Sequence, residues 1–557
     1  MPLSIDEIKA IANKIKASKD KTNYNAIIKL INDLAIPADQ STILSDDDNT
    51  EKTLRFLTVS LFQIFKKLFQ RNELILIKSN LSSNNEAKIK FIQWCQKLYN
   101  SFKSKLLAII SDLSIETSWA LDSLDLYMQC IELESEYMSI GPFFPNKSLK
   151  ALIIAMWNSN ISDNELNQTT GQSQNFILIE FVNKYYTKFA DIQYYTQSEL
   201  NQWLPSKEVE NNKYNIAKWL TLMNHDNHVT NSDQDQNQNE HEIFVNNPPQ
   251  AVSNVSKFKS LTEKNWLLQL NQQHLSFNQY KTILLILHKR IIPLFHTQTK
   301  LMDFLTDSYN LTTRFPNDKS VGVIPILALN GLFQLMHSSN LEYPNFYQKL
   351  YQLLTPDLMH VKYRPRFFRL MDLFLSSTHV SVHLVASFIK KLARLALTAP
   401  PSAVVTVIPF IYNMLKKHPN CMIMIHNPRF ISNPFQTDEE KLALKENIAT
   451  YTDPFDMNSS DPETTHAFES SLWELSTLMD HYHPNVATLA RIFKQPFKKL
   501  HYNMEDFLDW NYDSLINAEL SRNLKILPTL EFESFDYTIQ SNDIDNNKST
   551  YLQNVAW

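Results

Sequence analysis

Ser387 and Lys390 stand in an S-x-x-K pattern, the spacing at which a lysine can serve a serine nucleophile, and Ser162-Asp163-Asn164 supplies an S-D-N. Serine acyl-enzymes that use both place S-x-x-K first and add K-T-G. Here the order is reversed and no K-T-G occurs. His481-Tyr-His483 could bring two imidazoles to one metal, but a third ligand is missing and Pro484 marks a helix boundary beside them. His225, His228 and His241 fall in or beside an Asn/Gln-rich stretch with no cysteine to complete a site. Glu505, Asp506 and Asp509 would share a helix face, as acid/base groups or as a surface for a basic partner. No H-E-x-x-H, phosphate-loop or G-x-S-x-G motif is present. The expectation is a chain with no catalytic, metal or cofactor-binding residues.

The cations are more informative. On a helix, Lys390, Lys391 and Arg394 fall within an arc of about 100°, with Leu384, Phe388, Leu392 and Leu395 on another side. Lys362, Arg366 and Arg369 share an arc of about 60°. Such stripes suit phosphate contacts, which give affinity without sequence readout. They suit an acidic protein surface equally well. Residues 341–430 carry a net charge of +8 and residues 431–557 carry −12, so the acidic C-terminal part of this chain is itself a candidate counter-surface. The six residues are candidates for RNA or partner binding.

The elements that must position them are helices. The 557 residues include only four glycines, where average usage near 7 % would give roughly forty. All-β folds and phosphate loops both need glycine. Leu54, Leu57, Leu61, Ile64, Phe65 and Leu68 recur at helical spacing, and similar patterns cover about 86–112, 119–138, 147–157, 173–190 and 210–223. Cys95, Cys130 and Cys421 are widely separated, which fits a reducing compartment. The N-terminus reads as an amphipathic helix, not a secretory leader, and no apolar run approaches the roughly 20 residues of a membrane span.

The predicted fold is all-α, a HEAT/armadillo-like helical-repeat solenoid with disordered polar insertions. An N-terminal helical array covers 1–224, a disordered Asn/Gln/Asp-rich linker 225–261, and a helical-repeat region 262–425. A polar loop follows at 426–465, then C-terminal helices at 466–522 and an acidic extended tail at 523–557. Helices at about 381–397 and 402–417 form one pair joined by Ala399-Pro400-Pro401, where proline stops one helix and starts the next. Pro409 should kink the second.

Residues of about 345–425 resemble the signature of the CCAAT-binding-factor (CBF) family of nucleolar ribosome-assembly proteins. The resemblance rests on Tyr347…Leu354-Thr355-Pro356, FFRLMDLFLSSTHV, FIKKLARLALTAPP and MLKKHPNC. Residues 452–493 resemble the continuation found in one branch of that family. The resemblance implies a non-enzymatic helical scaffold of the nucleus and nucleolus. It further implies a nucleolar protein 14-like partner, other small-subunit processome proteins and pre-ribosomal RNA, with no small-molecule substrate and no membrane. The expected role is in small-subunit rRNA processing, assembly and export of the precursor. A helical-repeat adaptor or transport factor outside ribosome assembly is the alternative. The family name implies DNA binding, but no helix-turn-helix, zinc finger or basic zipper is present. Phe367, Phe368, Leu370, Phe374, Leu384, Phe388, Leu392 and Leu395 are the expected core of the CBF-like segment.

Overall fold

The computed structural model describes residues 4–17, 24–37, 49–75, 86–139, 141–159, 166–205, 214–225, 242–271, 275–311, 323–339, 345–377, 379–427, 430–431 and 437–523. Among them, helices and turns make up the fold, and the one β interaction is an isolated bridge between Phe189 and Glu242. None of the described helices is long and apolar enough to cross a membrane. The chain divides into two compact units. The first comprises residues 1–353 and 361–370, the second 354–360 and 371–557.

In the first unit, helices α1 (Ile5–Ala17), α2 (Asn25–Asp33), α3 (Asn49–Gln70), α4 (Glu86–Asp112), α5 (Ser118–Tyr137) and α6 (Asn146–Asn158) follow one another. Beyond them come α7 (Phe176–Phe181), α8 (Ala190–Trp203), α9 (Asn215–Met223) and α10 (Val255–Leu270). Packing runs along the chain: α3 lies on α1 and α5, α4 on α5 and α6, α6 on α8, and α8 on α10. Each helix meets near neighbours in sequence, which is the arrangement of a helical-repeat solenoid. The expected stripe of α3 is its buried face, with Leu57, Leu61, Ile64, Phe65 and Leu68 all inside.

Residues 242–254, placed by composition in a disordered linker, are ordered. The buried carboxylate of Asp191 at the start of α8 accepts hydrogen bonds from the backbone N–H groups of Ile192, Phe244 and Val245. Val245 is buried and Phe244 packs edge-on against Phe189 and Tyr185. Phe244 and Val245 supply the apolar anchors, and α10 begins at Val255 rather than at 262. The remainder of that linker, 226–241, lies outside the described residues.

The unit continues through α11 (Phe277–Ile286), extended by a wide π-turn at Leu287–Ile291, then α12 (Met302–Tyr309), α13 (Val323–Ser339) and α14 (Phe346–Gln352). Two of the four glycines act here. Gly171 has φ +67°, and a Cβ on it would sit 2.9 Å from Gln279 Cγ. A Cβ on Gly331 would meet Leu287 Cδ2 at 2.6 Å and Leu305 Cδ2 at 2.9 Å, so both leucine side chains would have to shift to admit one.

Helix α15 (Arg364–Leu375) begins in the first unit and ends in the second. The second unit is built on α16 (Val382–Ala396) and α17 (Pro401–Lys417), which pack on each other. Pro400 is the N-cap of α17 and Pro401 its first residue, and the helix runs on through Pro409. The polar loop expected at 426–465 contains a helix, α18 (Asp438–Ala449), started by a capping box between Thr437 and Glu440. Short helices α19 (Trp473–Leu478), α20 (Pro484–Ala490), α21 (Glu505–Leu508) and α22 (Tyr512–Leu520) complete the described residues. Most of the acidic tail, 524–557, lies outside them.

Candidate functional site

Helix α16 is buried on more than its apolar side. Ser387, Lys390 and Lys391 are inside along with Leu384, Phe388, Leu392 and Leu395. The cover over its polar side is the chain's own acidic segment between Asp453 and Leu478.

The contact is a knot of two cations and two carboxylates. Lys390, with no exposed side-chain surface, places Nζ 2.7 Å from Glu474 Oε1 and 3.0 Å from Asp453 Oδ2. Its remaining proton goes to the Ser471 carbonyl at 2.6 Å, so all three donors are used. Arg394 donates through Nε to Glu474 Oε1 and through Nη2 to Asp453 Oδ2, each at 2.8 Å. Its guanidinium carbon lies 4.8 Å from the Trp473 ring centre, a cation–π contact, and Phe455 sits further out at 6.0 Å. Burial alone would push the Asp453 carboxyl up. Hydrogen bonds from Ser470, Trp473 and Lys390, with the lysine's charge, outweigh it and hold the group at about 2.

Ser387 belongs to the same face, three and seven residues before Lys390 and Arg394. Its hydroxyl meets the carbonyls of His383 and Pro462 and the Thr465 hydroxyl. The S-x-x-K pair is therefore a pair of pins that fasten the 462–474 segment to α16. Lys391, at the edge of the same arc, is 8 % exposed, and burial pushes its ammonium down to about 8. The expectation of a solvent-facing stripe fails for Lys390 and Lys391. The acidic C-terminal part, read as a candidate counter-surface, is what Lys390 and Arg394 meet; the spacing does not show which of its residues, some 60 to 80 positions later, do so.

The first triad has another fate. Lys362 lies in the turn before α15, so the expected common helix face holds only for Arg366 and Arg369; Lys362 and Arg369 are exposed and Arg366 is half-buried. His288 of the π-turn stands near Arg366. The His288 imidazole is held below its usual value first by burial, then by the Arg366 and Lys289 charges. The Arg366 guanidinium is lowered by burial and by Arg369. Arg366 Nη1 and His288 Nδ1 are buried without a hydrogen-bond partner among the described residues. A half-buried guanidinium with one nitrogen unpartnered, beside a second cation that lowers it, is stabilised by an anion. The arrangement can accept a phosphate, whereas the Lys390–Arg394 knot is already neutralised.

The other motifs resolve into local structure. The His483 N–H donates to His481 Nδ1 at 3.0 Å, closing a turn. Glu505 and Asp506 fall in the single turn of α21, and Asp509 is its C-cap. His225 packs edge-on against Tyr186. His228, His241 and Ser162-Asp163-Asn164 lie outside the described residues. Among the described residues no group of three or more His, Cys, Asp or Glu could hold a metal ion.

Residues 325–490 match the CBF/Mak21 family, and residues 4–211 match the family of nucleolar complex protein 4-like TPR repeats. The Saccharomyces cerevisiae protein named nucleolar complex protein 4 is 62 % identical over 100 % of both chains. The chain belongs to the CBF/Mak21 family. A nucleolar complex protein 4 homolog of Gallus gallus is 31 % identical over 92 % of this chain and 93 % of its own. One of Danio rerio is 32 % identical over 87 % of each.

The branch suggested by residues 452–493 is thus that of nucleolar complex protein 4. As a CBF/Mak21 family member of this branch, the chain is a nucleolar protein with a role in ribosome biogenesis. The N-terminal helices, which carry no CBF-like motif, are covered by the TPR-repeat match. The CBF/Mak21 match encloses both halves of the ionic knot: Lys390 and Arg394 on α16, Asp453 and Glu474 on its roof. The charge asymmetry points to residues 431–557 as a counter-surface, and Asp453 and Glu474 are the residues of it that meet Lys390 and Arg394.

Proposed function

We propose that the chain is a non-enzymatic scaffold of the small-subunit processome. In this reading it is needed for small-subunit rRNA processing, assembly and nuclear export of the precursor. It acts in complex with a nucleolar protein 14-like partner, and Lys362, Arg366 and Arg369 contact pre-ribosomal RNA through its phosphates. The supporting observation is the division between the two cation groups. The Lys390–Arg394 group is consumed in holding the fold together, while Lys362 and Arg369 are exposed and the buried Arg366 Nη1 has no hydrogen-bond partner among the described residues. That is the electrostatics of a backbone-phosphate contact, which positions RNA without reading its sequence.

The test is depletion of the protein followed by analysis of rRNA. Accumulated small-subunit rRNA precursors retained in the nucleus, with large-subunit processing spared, is the expected result. Normal small-subunit rRNA would overturn the reading. Affinity purification supplies the second arm: partners without nucleolar proteins would favour a helical-repeat adaptor outside ribosome assembly.

A further inference from the structure

The nine residues of α22 carry two apolar sides. Leu515 is buried and fixes the helix to its unit, and the Tyr512 hydroxyl is 2.9 Å from His360 Nδ1, which fixes its first turn. The other side faces solvent. Tyr512 is 49 %, Ile516 56 % and Leu520 79 % exposed. These three are spaced i, i+4, i+8 and line an arc of about 80°, a continuous ridge on a helix already held in place. Single exposed apolar residues are ordinary, but here three are contiguous on a helix whose first turn is anchored.

Its borders are charged with one sign. Asp513 lies just beyond one edge of the ridge and Glu519 just beyond the other, and both are exposed. From Glu505 to Arg522 there are five carboxylates and one cation. The one cation, Arg522, reaches Glu519 Oε2 only at 3.8 Å. We propose that α22 is a docking site for an amphipathic basic helix of another protein, whose apolar residues lie against Tyr512, Ile516 and Leu520 while its Lys or Arg side chains meet Asp513 and Glu519. Helix pairing along an apolar seam with opposite charges at its edges is a common mode of recognition and sets the partner's register. The surface lies outside residues 325–490, so it is distinct from the CBF/Mak21 segment. The inference does not depend on which assembly the chain joins.

The experiment places a photo-crosslinking amino acid at position 516 of the full chain in cells and maps the crosslinked peptide. The expected product is a segment of a different protein with apolar residues at helical spacing and flanking Lys or Arg. Leu520→Glu should reduce its yield at least tenfold, and Asp513→Lys with Glu519→Lys should reduce it several-fold, with unfolding midpoints unchanged. Crosslinks to residues 524–557, to a second copy, to an acidic or non-helical segment, or to nothing would overturn the proposal. So would a Leu520→Glu variant that unfolds, because the ridge would then be core. Normal rRNA processing on depletion would overturn the processome reading alone and leave the mapped peptide to decide this one.

Discussion

Lys390 Nζ lies 2.7 Å from Glu474 Oε1, and neither side chain has any surface in contact with solvent. A salt bridge so placed is costly to break from one side, because the remaining charge stays buried without its counterion.

Lys390→Met and Glu474→Leu should therefore each lower stability by about 3–5 kcal/mol, whereas the two combined should cost less than the sum. Denaturant unfolding of the four proteins measures the coupling. Additive losses would mean that the two groups do not act as a pair.

Acid should loosen the same knot. Asp453 titrates at about 2 in the folded protein, below the usual carboxylate value of about 4. Its contribution is complete above that usual value and fades as pH falls toward about 2. The stability difference between the wild type and Asp453→Asn should shrink over that window, as followed by denaturant unfolding at each pH. A constant difference would place the titration elsewhere.

Much of this fold was legible in the sequence because helices declare themselves by period. Leu57, Leu61, Ile64, Phe65 and Leu68 gave α3, and Pro400-Pro401 gave the boundary between α16 and α17. Burial by an irregular partner was not legible. The segment that roofs α16 has little helical period: Asp453, Phe455, Thr465 and Ser470 all lie outside helices, so nothing local tied it to Lys390. The same limit hid residues 242–254, whose order depends on the distant carboxylate of Asp191. Of the six candidate cations, spacing alone could not separate the buried Lys390 from the exposed Lys362, since both read as part of basic stripes.

Gly171 offers a test of backbone demand. With φ +67° and Gln279 Cγ 2.9 Å from any added Cβ, Gly171→Ala should cost about 1–2 kcal/mol for the left-handed backbone alone. The clash also presses on Gln279, which completes the capping box that starts α11. Thermal unfolding reads the loss. An unchanged midpoint would show that the turn relaxes without penalty.

Reversing the first triad should act on binding, not on the fold. Lys362→Glu, Arg366→Glu and Arg369→Glu together should weaken association with a small-subunit pre-rRNA fragment. The slope of log affinity against log salt should fall by about 2 for three lost phosphate contacts. The corresponding reversal of Lys390, Lys391 and Arg394 should prevent folding, because two of the three are buried. Filter binding at several salt concentrations, beside circular dichroism, separates the two outcomes.

The most direct measurement combines these ideas in cells. The endogenous protein is replaced by the variant carrying Lys362→Glu, Arg366→Glu and Arg369→Glu, and RNA crosslinked to it by ultraviolet light is quantified alongside small-subunit rRNA precursors. The prediction is a soluble protein at normal abundance with strongly reduced crosslinking and accumulated precursors. Wild-type crosslinking with normal processing would contradict the assignment of these cations to pre-ribosomal RNA.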